Sequence, residues 1–182
     1  MRNITILAVD DVEANRISLQ YLIDEYLDNV DLILASSGEE ALKITYKNEI
    51  DIIILDIQMP GMDGFETAKY LKSNPKTNSI PIIFLTAAFK EEEFQQKGFE
   101  IGAIDYLTKP IENHQFINKL KLYKKVILKT KQLEAVNDDL YKALQKEIEL
   151  KEKIQKQQLD MVEQSKMAAL GEMIGNIAHQ WR

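Results

Sequence analysis

The chain has no cysteine, which excludes disulfides and thiolate chemistry and leaves its redox compartment unmarked. After Pro110 there is no further proline, and glycine is absent from there to Gly171. Nothing in that interval breaks a helix. No apolar run approaches the ~20 residues of a membrane-spanning helix. The opening, MRNITILAVDD, carries a short apolar run that ends in two acids without a small-residue cleavage site, so it is not a secretory leader. These absences lead to the expectation of a cytoplasmic protein with no membrane partner.

What is present is unevenly distributed. Apolar residues make up 45% of the 182, enough for a core. The net charge of -6 hides an asymmetry: residues 1–110 hold 19 acids and 10 bases, whereas residues 111–182 hold 10 acids and 13 bases. The two parts read as different objects. The acidic front argues against a nucleic-acid partner for that part.

Residues 1–110 alternate strand and helix signals. ITILAV (4–9), VDLILA (30–35), DIIIL (51–55), IPIIFLT (80–86) and AIDYLT (103–108) are short apolar runs. Between them lie helical patterns. Residues 13–27 carry Ile17, Leu19, Leu22, Ile23, Tyr26 and Leu27 on a broad apolar face, 38–48 follow a Ser-Ser-Gly start signal, and 65–73 and 91–102 complete the set. Strands without polar alternation are buried on both faces, and strands separated by helices pair in parallel. The expected fold class is therefore α/β, a doubly wound five-stranded parallel sheet in three layers.

In such sheets, chemistry gathers beyond the carboxyl ends of the strands. Those ends carry Asp10 and Asp11, Asp56, Thr86 and Lys109. Three clustered carboxylates repel one another, and a hard divalent cation relieves that repulsion. Oxygen ligands without His or Cys favour Mg²⁺ over Zn²⁺. Asp56 is the candidate nucleophile, and Thr86 and Lys109 can hold phosphoryl oxygens, which together equip the edge for in-line phosphoryl transfer to a carboxylate.

VDD at 9–11, DIIILDIQMPGMDG at 51–64, LTA at 85–87 and DYLTKP at 105–110 resemble the receiver domain of two-component response regulators over residues 1–125. The resemblance implies a flavodoxin-like strand order 2-1-3-4-5 and phosphorylation of Asp56. It implies Mg²⁺ held by Asp11, Asp56 and the backbone carbonyl of Gln58, with Asp10 acting through water. It places Thr86 and Lys109 on the phosphoryl oxygens, Thr86 and Tyr106 as a switch pair, and a cis peptide before Pro110. Gln58 and Ala88 occupy positions that influence phosphate lifetime in that family. Gly61 and Gly64 read as tight-turn glycines.

Residues 113–182 read as one long helix, on the order of 100 Å at ~1.5 Å per residue. Phe116, Leu120, Tyr123 and Ile127 begin an apolar stripe that Leu133, Val136, Leu140, Leu144 and Ile148 continue after a register slip. The pattern is a heptad seam with interruptions, as in a parallel coiled-coil homodimer. The basic run from Lys119 to Lys131 has no Arg reader and is assigned to a solvated flank. His114 reads as a surface residue of the first turn.

SKMAALGEMIGNIAHQWR (165–182) resembles the first helix of a sensor histidine kinase dimerisation and phosphotransfer domain. That resemblance makes His179 a phosphoacceptor, with Gln180 where most of that family has an acid. It divides the chain into a receiver (1–125), a signalling-helix linker (113–164) and the start of a phosphotransfer domain (165–182). The expectation is a piece of a longer histidine protein kinase. Its partners would be a second copy of itself, an upstream kinase or small phosphodonor, and a downstream receiver. The alternative is a dimeric receiver adaptor in which His179 has no chemistry.

Overall fold

A computed structural model describes residues 3–86 and 101–180, with side chains described as far as Asn176. The predicted helix over 91–102 and the positions Ala87 and Ala88 therefore lie largely or wholly outside the described residues. Five strands, β1 (Ile4–Val9), β2 (Val30–Ala35), β3 (Ile52–Asp56), β4 (Ile82–Thr86) and β5 (Asp105–Thr108), form one sheet in the order β2-β1-β3-β4-β5. Every pairing is parallel. The helices are α1 (Glu13–Tyr26), α2 (Gly38–Lys47), α3 (Gly64–Ser73) and a long C-terminal α4 (Asn113–Gln180).

The strands are apolar throughout because both sheet faces are covered. Leu7, Val9, Ile53, Leu55, Ile82 and Phe84 point to the side that holds Ala41 of α2 and Phe65, Ala68 and Leu71 of α3. Their neighbours Ile6, Ala8, Ile52, Ile54, Ile83 and Leu85 point to the side that holds Leu19 and Ile23 of α1 and Phe116, Ile117 and Leu120 of α4. Alternate residues thus feed two cores, and a period of two hides inside a continuous apolar run.

Local signals set the element ends. Ser37 caps α2, its hydroxyl accepting the Glu40 N–H at 3.2 Å, and Glu40 in return accepts from the Ser36 amide and hydroxyl at 2.7 Å each. Asp63 caps α3 by accepting from the Glu66 amide at 2.7 Å. Asp51, expected inside the third strand, sits before it and ties off β1: its carboxylate accepts from the Thr5 amide at 2.9 Å. On α1, Ile17 and Tyr26 were expected on the core face, yet both are exposed. Leu19, Ile23 and Leu27 at spacings of four already cover the sheet, and the flanking positions turn outward.

The chain divides into two compact units, Met1–Lys129 and Thr130–Arg182. The first four members of the expected coiled-coil stripe belong to the first unit's core. Phe116 and Leu120 are enclosed, and Tyr123 and Ile127 are partly buried against the same cluster. Of the expected stripe, Leu133 is the first member left exposed. In the second unit the described side chains are exposed, Lys131 alone being half-buried. Among the described residues, no helix is long and apolar enough to cross a membrane.

Candidate functional site

Parallel register brings the strand tips together. Val9 of β1 pairs with Leu55 of β3, so Asp10 and Asp56 follow on adjacent tips. Asp56 pairs with Leu85 of β4, and Thr86 pairs with Thr108 of β5. The next residue, Lys109, donates its amide to the Thr86 carbonyl at 2.8 Å. The Lys109–Pro110 peptide is cis, as the sequence resemblance implied.

Asp10, Asp11 and Asp56 each present a carboxylate oxygen within 4.8 Å of the others. Asp10 and Asp56 are buried, and Asp11 is half-exposed. The Lys109 ammonium lies between two of them, 2.7 Å from Asp10 Oδ2 and 2.6 Å from Asp56 Oδ2. The Gln58 amide donates to Asp56 Oδ1 at 3.3 Å, which sets the Gln58 backbone beside the cluster. Behind Asp56 the chain folds back tightly. A Cβ on Gly64 would lie 2.2 Å from the Asp56 carbonyl oxygen, so the start of α3 can pack there only with glycine. Gly61, at φ +79°, makes the turn between them. Gly64 was expected for its turn conformation; its actual reason is this close approach.

Burial pushes the Asp56 carboxyl above its ordinary pKa; Lys109 opposes the shift and the Asp10 charge adds to it. For Lys109, burial favours the neutral amine, but the bonds to Asp10 and Asp56 outweigh it and the net shift is upward. One ammonium faces three carboxylates, so the site retains negative charge that it has not neutralised. An oxygen-only donor set of this size fits a hard divalent cation that keeps most of its waters, which is the chemistry of Mg²⁺. Asp11, Asp56 and the Gln58 carbonyl are the groups that could hold it. Asp10 differs, because its two oxygens already accept from the Val12 amide, the Asn15 amide group and Lys109.

Thr86 is half-buried at the β4 tip. Tyr106, the other expected switch residue, is buried, with its ring 5.4 Å from that of Phe84. Burial pushes its hydroxyl up to about 12. His179 falls on the backbone of α4, and its side chain lies outside the described residues.

Two features had not been anticipated. Asn15 and Arg16, in the first turn of α1, grip Asp10: Asn15 holds both carboxylate oxygens, and Arg16 Nη1 donates to the Asp10 carbonyl at 2.6 Å. The available signal was position, since the first turn after a strand-end acid faces that acid. The second is a tie between β5 and α4. Lys119 Nζ and the Tyr123 hydroxyl donate to Asp105 Oδ2 at 2.6 and 2.7 Å. Lys124 also donates to the Asp28 carbonyl. Part of the basic run is thus anchored to the first unit and is not simply a solvated flank.

The family model described as "Response regulator receiver domain" matches residues 6–121. The response regulator PleD of Caulobacter vibrioides is 40% identical over 134 residues, 71% of this chain and 29% of that protein. The alkaline phosphatase synthesis transcriptional regulatory protein PhoP of Bacillus subtilis is 41% identical over 120 residues, 65% of this chain and 48% of that protein. The chain thus spans between about a quarter and a half of the curated relatives it matches. Among solved structures, the chemotaxis protein CheY4 of Vibrio cholerae aligns with a TM-score of 0.62 at 30% identity, covering 66% of this chain and 98% of that one. The signal receiver domain of a signal transduction histidine kinase from Syntrophus aciditrophicus aligns with a TM-score of 0.58 at 28% identity, covering 66% and 89%.

Proposed function

The chain belongs to the response-regulator receiver family and carries a receiver domain of two-component phosphorelay signalling, and from that premise we propose that Asp56 is its phosphoacceptor. The observation that carries the reading is the trio of carboxylates within 4.8 Å at the strand tips, two of which, Asp10 and Asp56, Lys109 bridges. An Asp56 oxygen attacks the donor's phosphorus in line. A new O–P bond forms, the bond from phosphorus to the donor atom breaks, and its electron pair leaves with the donor. The Lys109 ammonium then shifts its contact to a phosphoryl oxygen, and the Thr86 hydroxyl donates to another. Mg²⁺, when bound by Asp11, Asp56 and the Gln58 carbonyl, would neutralise charge that builds on the transferring group.

The test is treatment with acetyl phosphate and Mg²⁺, followed by intact and peptide mass measurement. Addition of one phosphoryl group at Asp56, and none in Asp56→Asn, is the expected result. Labelling elsewhere, or none under any donor, would sink the assignment.

The second unit motivates the wider proposal. Its described apolar side chains have no cover among the described residues, and a second copy in parallel, paired from Leu133 onward, gives them one. In this reading residues 1–125 are the receiver, 113–164 the signalling linker and 165–182 the start of a phosphotransfer domain whose acceptor is His179. Phosphate at Asp56 draws Thr86, moves Tyr106 and alters the β5–α4 packing, and α4 passes the change toward His179. The relative from a histidine kinase supports this context. Phosphorylation assays with His179→Ala in a kinase that carries this segment decide it: loss of the autophosphorylated species is expected, and unchanged labelling would favour the adaptor reading.

A further inference from the structure

Asp10 is completely buried, and its carboxylate is fully occupied by donors. Oδ1 accepts from the Val12 amide at 2.9 Å and from Asn15 Nδ2 at 2.9 Å. Oδ2 accepts from Asn15 Nδ2 at 3.1 Å and from Lys109 Nζ at 2.7 Å. An ionised carboxylate offers about four acceptor sites, and four contacts fill them. Asn15 alone makes two of these contacts, from a half-buried place in the first turn of α1. Asp10 is thereby withheld from direct coordination although it stands within 4.8 Å of the other two acids.

From this we infer that Asn15 is a positioning residue that sets the cation preference of the site, by holding Asp10 out of the coordination sphere and leaving only Asp11 and Asp56 as direct carboxylate ligands. The inference rests on the cation reading proposed above. Mg²⁺ binds through one or two carboxylates and keeps several waters, whereas Ca²⁺ collects about 6–8 oxygens and takes carboxylates in either mode. A site limited to two carboxylates and one carbonyl suits the smaller ion. Releasing Asp10 adds a third, buried carboxylate. Without Asn15, Oδ1 keeps only the Val12 amide and Oδ2 keeps only Lys109. The carboxylate, no longer clamped on its α1 side, is free to turn an oxygen toward Asp11 and Asp56, whose own oxygens lie within 4.8 Å of it, and the larger ion, with its higher coordination number, is the one that uses it.

The experiment is calorimetric titration of Mg²⁺ and of Ca²⁺ into the full chain, with wild type, Asn15→Ala, Asn15→Asp and Asn15→Gln. Ala and Asp remove the donor; Gln retains one. The expected result is a Ca²⁺-to-Mg²⁺ affinity ratio that rises about tenfold in Ala and Asp, the lower end of the effect that outer-shell changes have on metal affinity. Gln should stay nearer to wild type. A purely structural role for Asn15 lowers thermal stability but leaves the ratio where it was, and that outcome overturns the inference. Should Ala and Asp fail to fold without metal, refolding favoured by Ca²⁺ over Mg²⁺ supports it, and refolding with neither or with both equally overturns it. A wild type that binds neither ion fails the cation reading itself, a different result from an unchanged ratio.

Discussion

Phe116 and Leu120 are almost completely enclosed, whereas Leu133 and Leu140, farther along the same helix, leave 70% and 65% of their surface exposed. Apolar content does not separate the two stretches, since both carry leucines at helical spacing and are free of helix breakers. What separates them is the presence of a covering surface. The sheet of the first unit offers Ile52, Ile54, Ile83 and Leu85 to the first stretch. Nothing in the described chain covers the second, and a second copy is the cover proposed for it. An apolar stripe therefore does not say what, if anything, in its own chain covers it.

Truncation gives the sharpest contrast. Phe116→Ala empties a filled position between α4 and the sheet and is expected to cost about 3–5 kcal/mol. That is a large share of the ~5–15 kcal/mol that holds a typical domain together. Denaturant unfolding followed by circular dichroism at a wavelength and concentration that isolate the first unit measures it. A loss under about 1 kcal/mol, the range of surface changes, would mean that α4 does not contribute to that core. The converse is Leu140→Asp. It leaves the first unit's unfolding within about 0.5 kcal/mol of wild type and abolishes self-association in sedimentation equilibrium. A chain that is already monomeric before the substitution removes the proposed seam.

The same contrast explains what the sequence disclosed. Five strands were legible because residues such as Leu7 and Ala8, one facing each core, are both apolar. The strand-tip acids were legible because parallel sheets deliver their tips to one edge, so Asp10, Asp56, Thr86 and Lys109 could be grouped before any geometry was known. The fate of the α4 stripe was not legible, because periodicity records that a face is covered and not by what. Asn15 was missed for a related reason. A polar residue on a helix reads as solvated unless one knows that the helix's first turn looks back at a strand tip. Asp51 was placed inside a strand because an acid next to an apolar run carries no mark of the amide it will accept.

Asp56 separates the two units electrostatically, since the second has no buried charge among its described residues. Burial raises the Asp56 pKa, so its ionised form is disfavoured in the fold. A carboxyl raised in this way contributes most below its unfolded value of ~3.9, and the contribution is lost as pH rises through the folded value. In chelator, the first unit should therefore gain stability from Asp56→Asn at neutral pH, with the gain fading as the solution is acidified. Magnesium should raise the melting temperature of wild type and leave Asp56→Asn unmoved. A substitution that destabilises at neutral pH without metal would show that Lys109 more than offsets the burial.

The smallest effect belongs to the tie at the base of α4. Burial pushes Asp105 up, but the bonds from Lys119, Tyr123 and the Tyr106 amide prevail and hold it below the usual carboxylate range. A carboxyl lowered in this way contributes stability above its unfolded value, and the contribution is lost as pH falls through the folded one. Lys119 is more than a third exposed, so solvent screens the pair and the expected cost of Asp105→Asn at neutral pH is below about 1 kcal/mol. The cost should vanish at a pH acid enough to protonate Asp105 in both states. Lys119→Met and Tyr123→Phe, made singly and together with Asp105 intact, separate the ammonium from the phenol, because the two donors share one oxygen and their losses should not add. Strict additivity in that cycle would mean that the two bonds act independently.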